Sequence, residues 1–323
     1  MKTYFVVNPV SGTGQGKDGF IRQIQENARN LGMNIEIYQT QSSGDAERFV
    51  FETVTELKAE EARIYICGGD GTFNEAINGL MKAKEALQAQ HIQADTSLGL
   101  VPIGSGNDFI KNFWSVDGAR SIDAQLHASP LPCDVLEFTT ETQEGERVRY
   151  CANMFNIGFD CNTADLANHL KEKPLISGHF AYLLGVLGTL IKKKGANIRV
   201  EVDGKLFHEG PALLCSLANG PYCGGGVKSN PGADVQDGVM DVNVVRNISR
   251  LGLLKLFPSY QKGVHMQLPN IEKTIRTAVC REAVITPLQG QMRLCTDGEI
   301  TDEGKIRIRV IQHGFSFLGP AKS

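Results

Sequence analysis

The stretch Ile64-Tyr65-Ile66-Cys67-Gly68-Gly69-Asp70-Gly71-Thr72 decides how this chain is read. A short β-branched and aromatic run that stops at glycines predicts a buried parallel strand whose carboxyl end opens into a crevice. Glycines there let backbone N–H groups approach an anion, because no Cβ stands in the way. A helix is predicted to follow at once. Thr72-Phe73-Asn74-Glu75 has capping-box spacing, and Phe73, Ala76, Ile77, Leu80 and Met81 fall on one helical face. Strand, glycine turn and helix N-terminus together predict a phosphate site, with a plain βα turn as the weaker reading. Asp70 is unusual there, since a carboxylate repels phosphate. It fits if a metal ion or a network of donors stands between them.

Outward from this stretch the pattern repeats. Tyr4–Val7 reads as a strand leading into Asn8-Pro9-Val10-Ser11-Gly12-Thr13-Gly14. A helix follows with Phe20, Ile21, Ile24, Ala28 and Leu31 inward and Gly32 as its stop. Ile35 and Ile37 alternate in the next strand, and a helix over about Asp45–Leu57 buries Ala46, Phe49, Val50 and Val54. Leu98–Ile103 reads as another buried strand, ending in Gly104-Ser105-Gly106-Asn107-Asp108. Such repetition predicts an open parallel sheet with helices on both faces and small-residue turns at the strand ends, where ligands of these sheets bind.

Near Pro130 the texture changes to strands. Hairpin signals appear at Thr142-Gln143-Glu144-Gly145 and Asp203-Gly204, and strands are predicted at Val239–Val245, Val279–Ile285, Met292–Cys295 and Ile306–Ile311. Helical stretches interrupt them near Gly178–Lys193 and Ser249–Lys262. A β-rich, sandwich-like second domain is expected between about 130 and 300, and 323 residues make two domains the default.

Composition narrows the classes. Apolar residues at 41% and charged residues at 21% describe an ordinary folded protein, and a net charge of −3 argues against a dedicated nucleic-acid binder. The eight cysteines show no C-x-x-C spacing and read as small buried hydrophobes in a reducing cytosol. No secretory signal is visible, and the longest apolar run, the 12 residues Phe180–Ile191, is too short to span a bilayer. The expectation is a cytoplasmic protein, soluble or peripheral at the inner membrane face. Lys192-Lys193-Lys194 behind that run reads as a solvated helix end or a lipid-headgroup contact. His179 and His265 have no visible partner arrangement and read as structural.

Gly12-Thr13-Gly14-Gln15-Gly16-Lys17 satisfies neither the Walker nor the dinucleotide spacing, though it suits a phosphate-facing loop. In Gly104–Asp108 small residues admit a phosphate or a base, and the Ser105 hydroxyl can donate. Asn107 can pair with a purine edge or hold the loop, and Asp108 can cap a helix or ligate. Asn219–Asp241, with Asp234-Val235-Gln236-Asp237-Gly238-Val239, has the carboxylates and tight turns of a hard-cation site, or of a solvated turn. In Thr296-Asp297-Gly298-Glu299 the two carboxylates share a face if the strand continues, which would suit a proton acceptor; a hairpin turn is the alternative.

These pieces in this order resemble the diacylglycerol kinase catalytic-domain family, which includes bacterial soluble lipid kinases and sphingosine kinases. The resemblance runs from Asn8–Gly12 through Gly68–Glu75, Pro102–Phe109 and Asn219–Asp241 to Asp297-Gly298-Glu299. It implies an α/β nucleotide-binding domain of residues 1–130 plus about 305–323, to which the last strand returns, and a β-rich substrate domain of residues 131–304. It implies ATP-dependent phosphorylation of a lipid hydroxyl, with nucleotide between the domains. ATP would contact Asn8, Pro9, Val10, Ser11, Gly12, Thr40, Gly69, Asp70, Gly71, Thr72, Phe73, Asn74, Glu75 and Ser105. Glu299 and Asp297 would sit at the reacting hydroxyl. Asp234, Asp237 and the Val239 carbonyl would hold a structural Mg2+, with Asp134 joining that acidic network. Many relatives have Thr where this chain has Ser105. The partners implied are a lipid at the membrane surface and no nucleic acid, with a homodimer open. An NAD kinase is the nearest enzyme alternative, and a non-catalytic lipid-binding protein on the same scaffold is the other. Diacylglycerol and other long-chain alcohols are not told apart by the sequence.

Overall fold

The computed structural model describes residues 1–12, 17–142, 145–159, 161 and 195–320. The predicted helix near Gly178–Lys193 with its lysines, His179, and the loop residues 13–16 lie outside these. The chain forms two compact units, Met1–Cys133 with His313–Ser323, and Asp134–Gln312.

The first unit is an α/β fold. Strands β1 (Lys2–Val7), β2 (Glu36–Gln39), β3 (Ala62–Gly68) and β4 (Thr96–Pro102) join the final part of the last strand, β15 (Ile306–Gly319), in a parallel sheet of order β15-β4-β3-β1-β2. From β1 the chain goes to β2 on one side and then to β3 on the other. The order therefore reverses between β1 and β3, and the crevice outside their carboxyl ends is where such sheets bind ligands. Helices α1 (Lys17–Asn30), α2 (Asp45–Leu57) and α3 (Asp70–Gln88) connect them, followed by the short α4 (Val116–Ala119) and α5 (Ile122–Leu126). Alternation along the strands sends Phe5, Val7, Tyr65 and Cys67 to a core shared with Ile24 of α1 and Ile122 and Leu126 of α5. Tyr4 points the other way, its ring edge-on to Phe49 of α2 at 6.2 Å. Both faces of the sheet are thus covered, as a parallel sheet requires.

The expected inward face of α1 holds at Ile24 and Ala28 but not at Leu31, which is 39% exposed. Leu31 follows the helix end, where the turn through Gly32 (φ +65°) releases it from the helical stripe.

The second unit is β-rich and antiparallel. It contains most of β5 (Ser129–Thr142), then β6 (Gly145–Cys151), β7 (Met154–Gly158), β8 (Ala196–Val202), β9 (Lys205–Ala218) and β10 (Met240–Arg246). Helix α6 (Arg250–Gln261) precedes β11 (Ile275–Cys280), β12 (Glu282–Pro287), β13 (Met292–Thr296) and β14 (Glu299–Glu303), and the first part of β15 completes the unit. The long strand β9 serves three partners: Lys205–Ala212 pairs β8, and the stretch to Ala218 runs between β7 and β10. Leu136, Phe155, Ile198, Leu217, Val242, Ile285 and Ile306 belong to its main core.

Val279–Ile285, predicted as one strand, is two. β11 pairs β10, whereas β12 pairs β8 and β15, so the chain changes partners at Arg281. The Asp203 carboxylate, in the β8–β9 turn, accepts from both the Arg281 and Glu282 N–H groups at 3.1 Å and fixes that break. The predicted strand at Ile306–Ile311 extends to Gly319.

Candidate active site

In the first unit the predicted nucleotide residues gather at the carboxyl ends of β1, β3 and β4. The Asn8 N–H donates to the Cys67 carbonyl at 2.9 Å, and its side-chain amide donates to the Thr72 hydroxyl at 2.8 Å. The Asn8 carboxamide oxygen accepts from the Val10 N–H at 3.0 Å, an Asx turn that shapes the loop ahead of Gly12. Thr40 is buried, its N–H on the Val7 carbonyl at 3.0 Å.

The β3 and β4 turns lock onto each other. The Ile103 and Gly104 N–H groups both donate to the Gly68 carbonyl, at 3.0 and 3.2 Å. A Cβ on Gly104 would fall 2.5 Å from the Gly69 Cα, so only glycine permits this approach. The Asp70 carboxylate accepts from the Asp108 and Phe109 N–H groups at 2.8 and 3.2 Å. It thereby caps the 3-10 turn Phe109–Asn112, for which Asp108 makes no side-chain cap. Asp108 instead pairs with Lys111 at 2.7 Å, and Asn107 holds its own loop by donating to the Gly104 carbonyl at 2.7 Å. Ser105 is exposed at the loop tip.

One expectation changes here. The capping box is not formed: Gly69 is the N-cap in an extended conformation and α3 starts at Asp70, which puts Thr72 inside the first turn. Glu75 reaches across to α2, its carboxylate accepting from the Gly44 and Ala46 N–H groups at 2.9 and 3.2 Å. It caps that helix. Phe73 is buried, stacked on Phe109 at 4.7 Å with its N–H on the Gly69 carbonyl, so it packs the core. Asn74 is likewise buried and accepts from the Asn78 side chain.

In the second unit, Asp297 and Gly298 form the two-residue turn between β13 and β14, with φ of +48° and +102°. Positive φ at both positions is what a type I′ turn needs, and Asp-Gly supplies it. The strand does not continue, so Asp297 and Glu299 do not share a face. The Asp297 carboxylate accepts from the Ala152, Asn153 and Met154 N–H groups at 2.8, 3.1 and 2.9 Å, and from the Cys151 thiol at 3.3 Å. Burial, and then the Asp297 carboxylate, pushes the Cys151 thiol well above the usual cysteine range. Glu299, one residue past the turn, is exposed.

The acidic loop lies in the same unit. Asp234 and Asp237 form successive Asx turns onto the Gln236 and Val239 N–H groups, at 3.0 and 3.1 Å. Asp134 is fully buried and accepts from the Gly238 N–H at 2.6 Å. Burial, with Asp234 and Asp134 adding repulsion, raises the Asp237 carboxyl; burial and Asp237 push Asp241 up to about 6. These mutually repelling carboxylates suit a hard cation, although among the described residues no three acidic, His or Cys side chains converge in ligating geometry. Sequence reasoning missed Asn153 and Asn219. The Asn219 amide bridges the Asp134 and Ala152 carbonyls at 2.9 and 2.7 Å, and nothing in its local sequence signals that.

A small apolar pocket lies beneath α6 and is lined by Phe159, Leu214, Val245, Leu253, Leu256 and Tyr260 among others. No helix among the described residues is long and apolar enough to cross a membrane.

Residues 2–138 match the diacylglycerol kinase catalytic domain, and residues 153–315 match the YegS C-terminal NAD kinase beta sandwich-like domain. The chain belongs to the diacylglycerol kinase catalytic-domain family of lipid kinases. It is 32% identical to a probable lipid kinase YegS-like of Pseudomonas putida over 70% of this chain and 68% of that one. It is 27% identical to a diacylglycerol kinase of Staphylococcus carnosus over 82% and 79%. A diacylglycerol kinase structure from Bacillus anthracis matches at a TM-score of 0.69 and 19% identity, covering 98% and 96%. Yeast NADH kinase matches at 0.55 and 11%, covering 100% and 84%. Those two likenesses concern the fold. The chain is therefore a kinase with an α/β domain followed by a β-sandwich-like domain.

Proposed function

We propose that this kinase transfers the γ-phosphoryl group of Mg-ATP to the hydroxyl of a lipid, diacylglycerol or a related long-chain alcohol. The observation that carries the reading is the pair of glycine turns after β3 and β4, closed by Asp70 beside the point where strand order reverses. There the N–H groups opening α3 and the loop after Asn8 would receive the nucleotide phosphates. Phosphoryl transfer needs positioning and charge neutralisation more than covalent help, so a site of this make-up suffices.

Glu299 is the proton acceptor for the attacking hydroxyl in this reading, because it is exposed while the Asp297 oxygens are taken up by the turn before β7. Asp297 is then a positioning residue. The new O–P bond forms as the bond to the leaving ADP oxygen breaks, and the hydroxyl proton goes to Glu299. Asp234, Asp237 and the Val239 carbonyl would hold a structural Mg2+, which would offset the repulsion within that loop.

The NAD-kinase alternative rests on likeness of fold, with yeast NADH kinase matching at 11% identity. Labelled ATP offered with a membrane lipid extract or with NAD separates the readings. Label in a lipid product is expected. Label in NADP and none in lipid would overturn the proposal.

A further inference from the structure

Helix α6 has two apolar faces, and only one is spent on packing. Leu253, Leu256 and Tyr260 are buried and wall the pocket. Leu251, Leu254, Lys255, Pro258 and Lys262, at i, i+3, i+4, i+7 and i+11, are exposed on the opposite face. Leu251 is 71% and Leu254 48% exposed, and Val264 and Met266 just past the helix are 39% and 40% exposed. Lone exposed leucines are ordinary, but apolar residues grouped on one outward face mark a contact surface.

Charge says what meets it. Between Val242 and Ile271 the chain has no Asp or Glu, while Arg246, Arg250, Lys255 and Lys262 give +4 in a chain of net −3. All four cations are exposed. A second copy packed isologously on this face would set the same four cations against their equals. An anionic surface would not.

We propose that the outer face of α6 docks on an anionic lipid bilayer, with Leu251 and Leu254 entering the interface and the neighbouring cations meeting headgroup phosphates. This rests on the lipid-kinase reading for its purpose, since the docked helix would hold its pocket-lining face next to the lipid supply. Leucines for burial beside lysines for anionic lipid is the composition of interfacial helices.

The test is flotation of the full chain with phosphatidylcholine vesicles and with vesicles containing phosphatidylglycerol, for wild type, L251S/L254S and K255A/K262A. Wild type should float with anionic vesicles and release as salt rises. The lysine pair should weaken binding roughly twenty-five-fold, at about five-fold per cation. The leucine pair should weaken it roughly ten-fold. Thermal midpoints and turnover of dispersed short-chain diacylglycerol should stay at wild-type values. Wild-type flotation by both variants, or equal flotation of wild type with neutral vesicles at any salt, overturns the proposal. So does a shift of the leucine variant from dimer to monomer with flotation intact. If no lipid is phosphorylated but this flotation pattern holds, the lipid-substrate reading falls and the docking surface stands.

Discussion

The carboxylate of Asp70 caps the backbone of Asp108, 38 residues away, at 2.8 Å, and in doing so fastens the turn after β3 to the turn after β4. A second N–H, from Phe109, reaches the same oxygen. Asp70→Ala leaves both buried donors without that acceptor, which costs about 1–3 kcal/mol. Urea unfolding should show that loss, and ATP affinity should fall with it because both glycine turns loosen. Wild-type stability and ATP affinity in this variant would remove Asp70 from the role.

Asp45 ties the start of α2 to β2. Its carboxylate accepts from the Gln41 N–H and the Tyr38 hydroxyl at 2.8 and 2.9 Å and pairs with Arg48 at 2.7 Å. Burial alone would raise its carboxyl, but the Gln41, Arg48 and Tyr38 contacts outweigh it and hold the group below the ordinary 3.8. A depressed carboxyl contributes stability that is present above the unfolded-state value and lost as pH falls through the lower folded one. Asp45→Asn should cost about 1 kcal/mol at neutral pH, allowing for screening of the exposed Arg48. That gap should narrow below about pH 4. Unfolding curves for both proteins at pH 7 and pH 3 check it. A gap of the same size at both would mean the charge plays no part.

How far these features could be read in advance depends on their range. The α2 helix, Asp45–Leu57, follows from a local apolar stripe. The glycine turn after β3 announces itself, because Gly68, Gly69 and Gly71 end a strand together. The partner of Glu75 does not, since the helix end it caps lies 31 residues earlier in sequence. Thr72 and Glu75 have capping-box spacing, yet the extended Gly69 is the N-cap and the helix starts at Asp70, two residues before Thr72. Asp297 and Glu299 are separated by a turn that uses the same Asp-Gly signal as a strand end would. The β13–β14 pairing, with the N–H groups of residues 152–154 gathered around Asp297, makes it a turn.

Asp237 lies in the acidic loop with Asp234 and near Asp134, whose charges raise its carboxyl after burial does. A Mg2+ held by Asp234, Asp237 and the Val239 carbonyl would remove that repulsion, and would stabilise the folded chain by mass action. The wild-type thermal midpoint should rise with Mg2+, and Asp237→Ala should abolish the response while lowering turnover. Should the variant answer Mg2+ as wild type does, the ion binds elsewhere.

Glu299 and Asp297 make the sharpest contrast. Glu299 is exposed and faces no packing demand, so Glu299→Gln should leave the thermal midpoint and ATP binding as they are. An aliphatic hydroxyl is a weak nucleophile at neutral pH, and a positioned base contributes on the order of 10²–10⁴-fold, so kcat should drop by that factor. Asp297 anchors the chain entering β7 through three N–H groups and the Cys151 thiol. Asp297→Ala strips buried donors of their acceptor and should cost about 2–3 kcal/mol of stability, with activity falling as a consequence. Asp297→Asn keeps the turn and one acceptor oxygen, and should recover part of both. Turnover at several pH values together with melting curves separates the two roles. Glu299→Gln working at the wild-type rate across pH would exclude it as the base, and a stable but inactive Asp297→Asn would make Asp297 the proton acceptor instead.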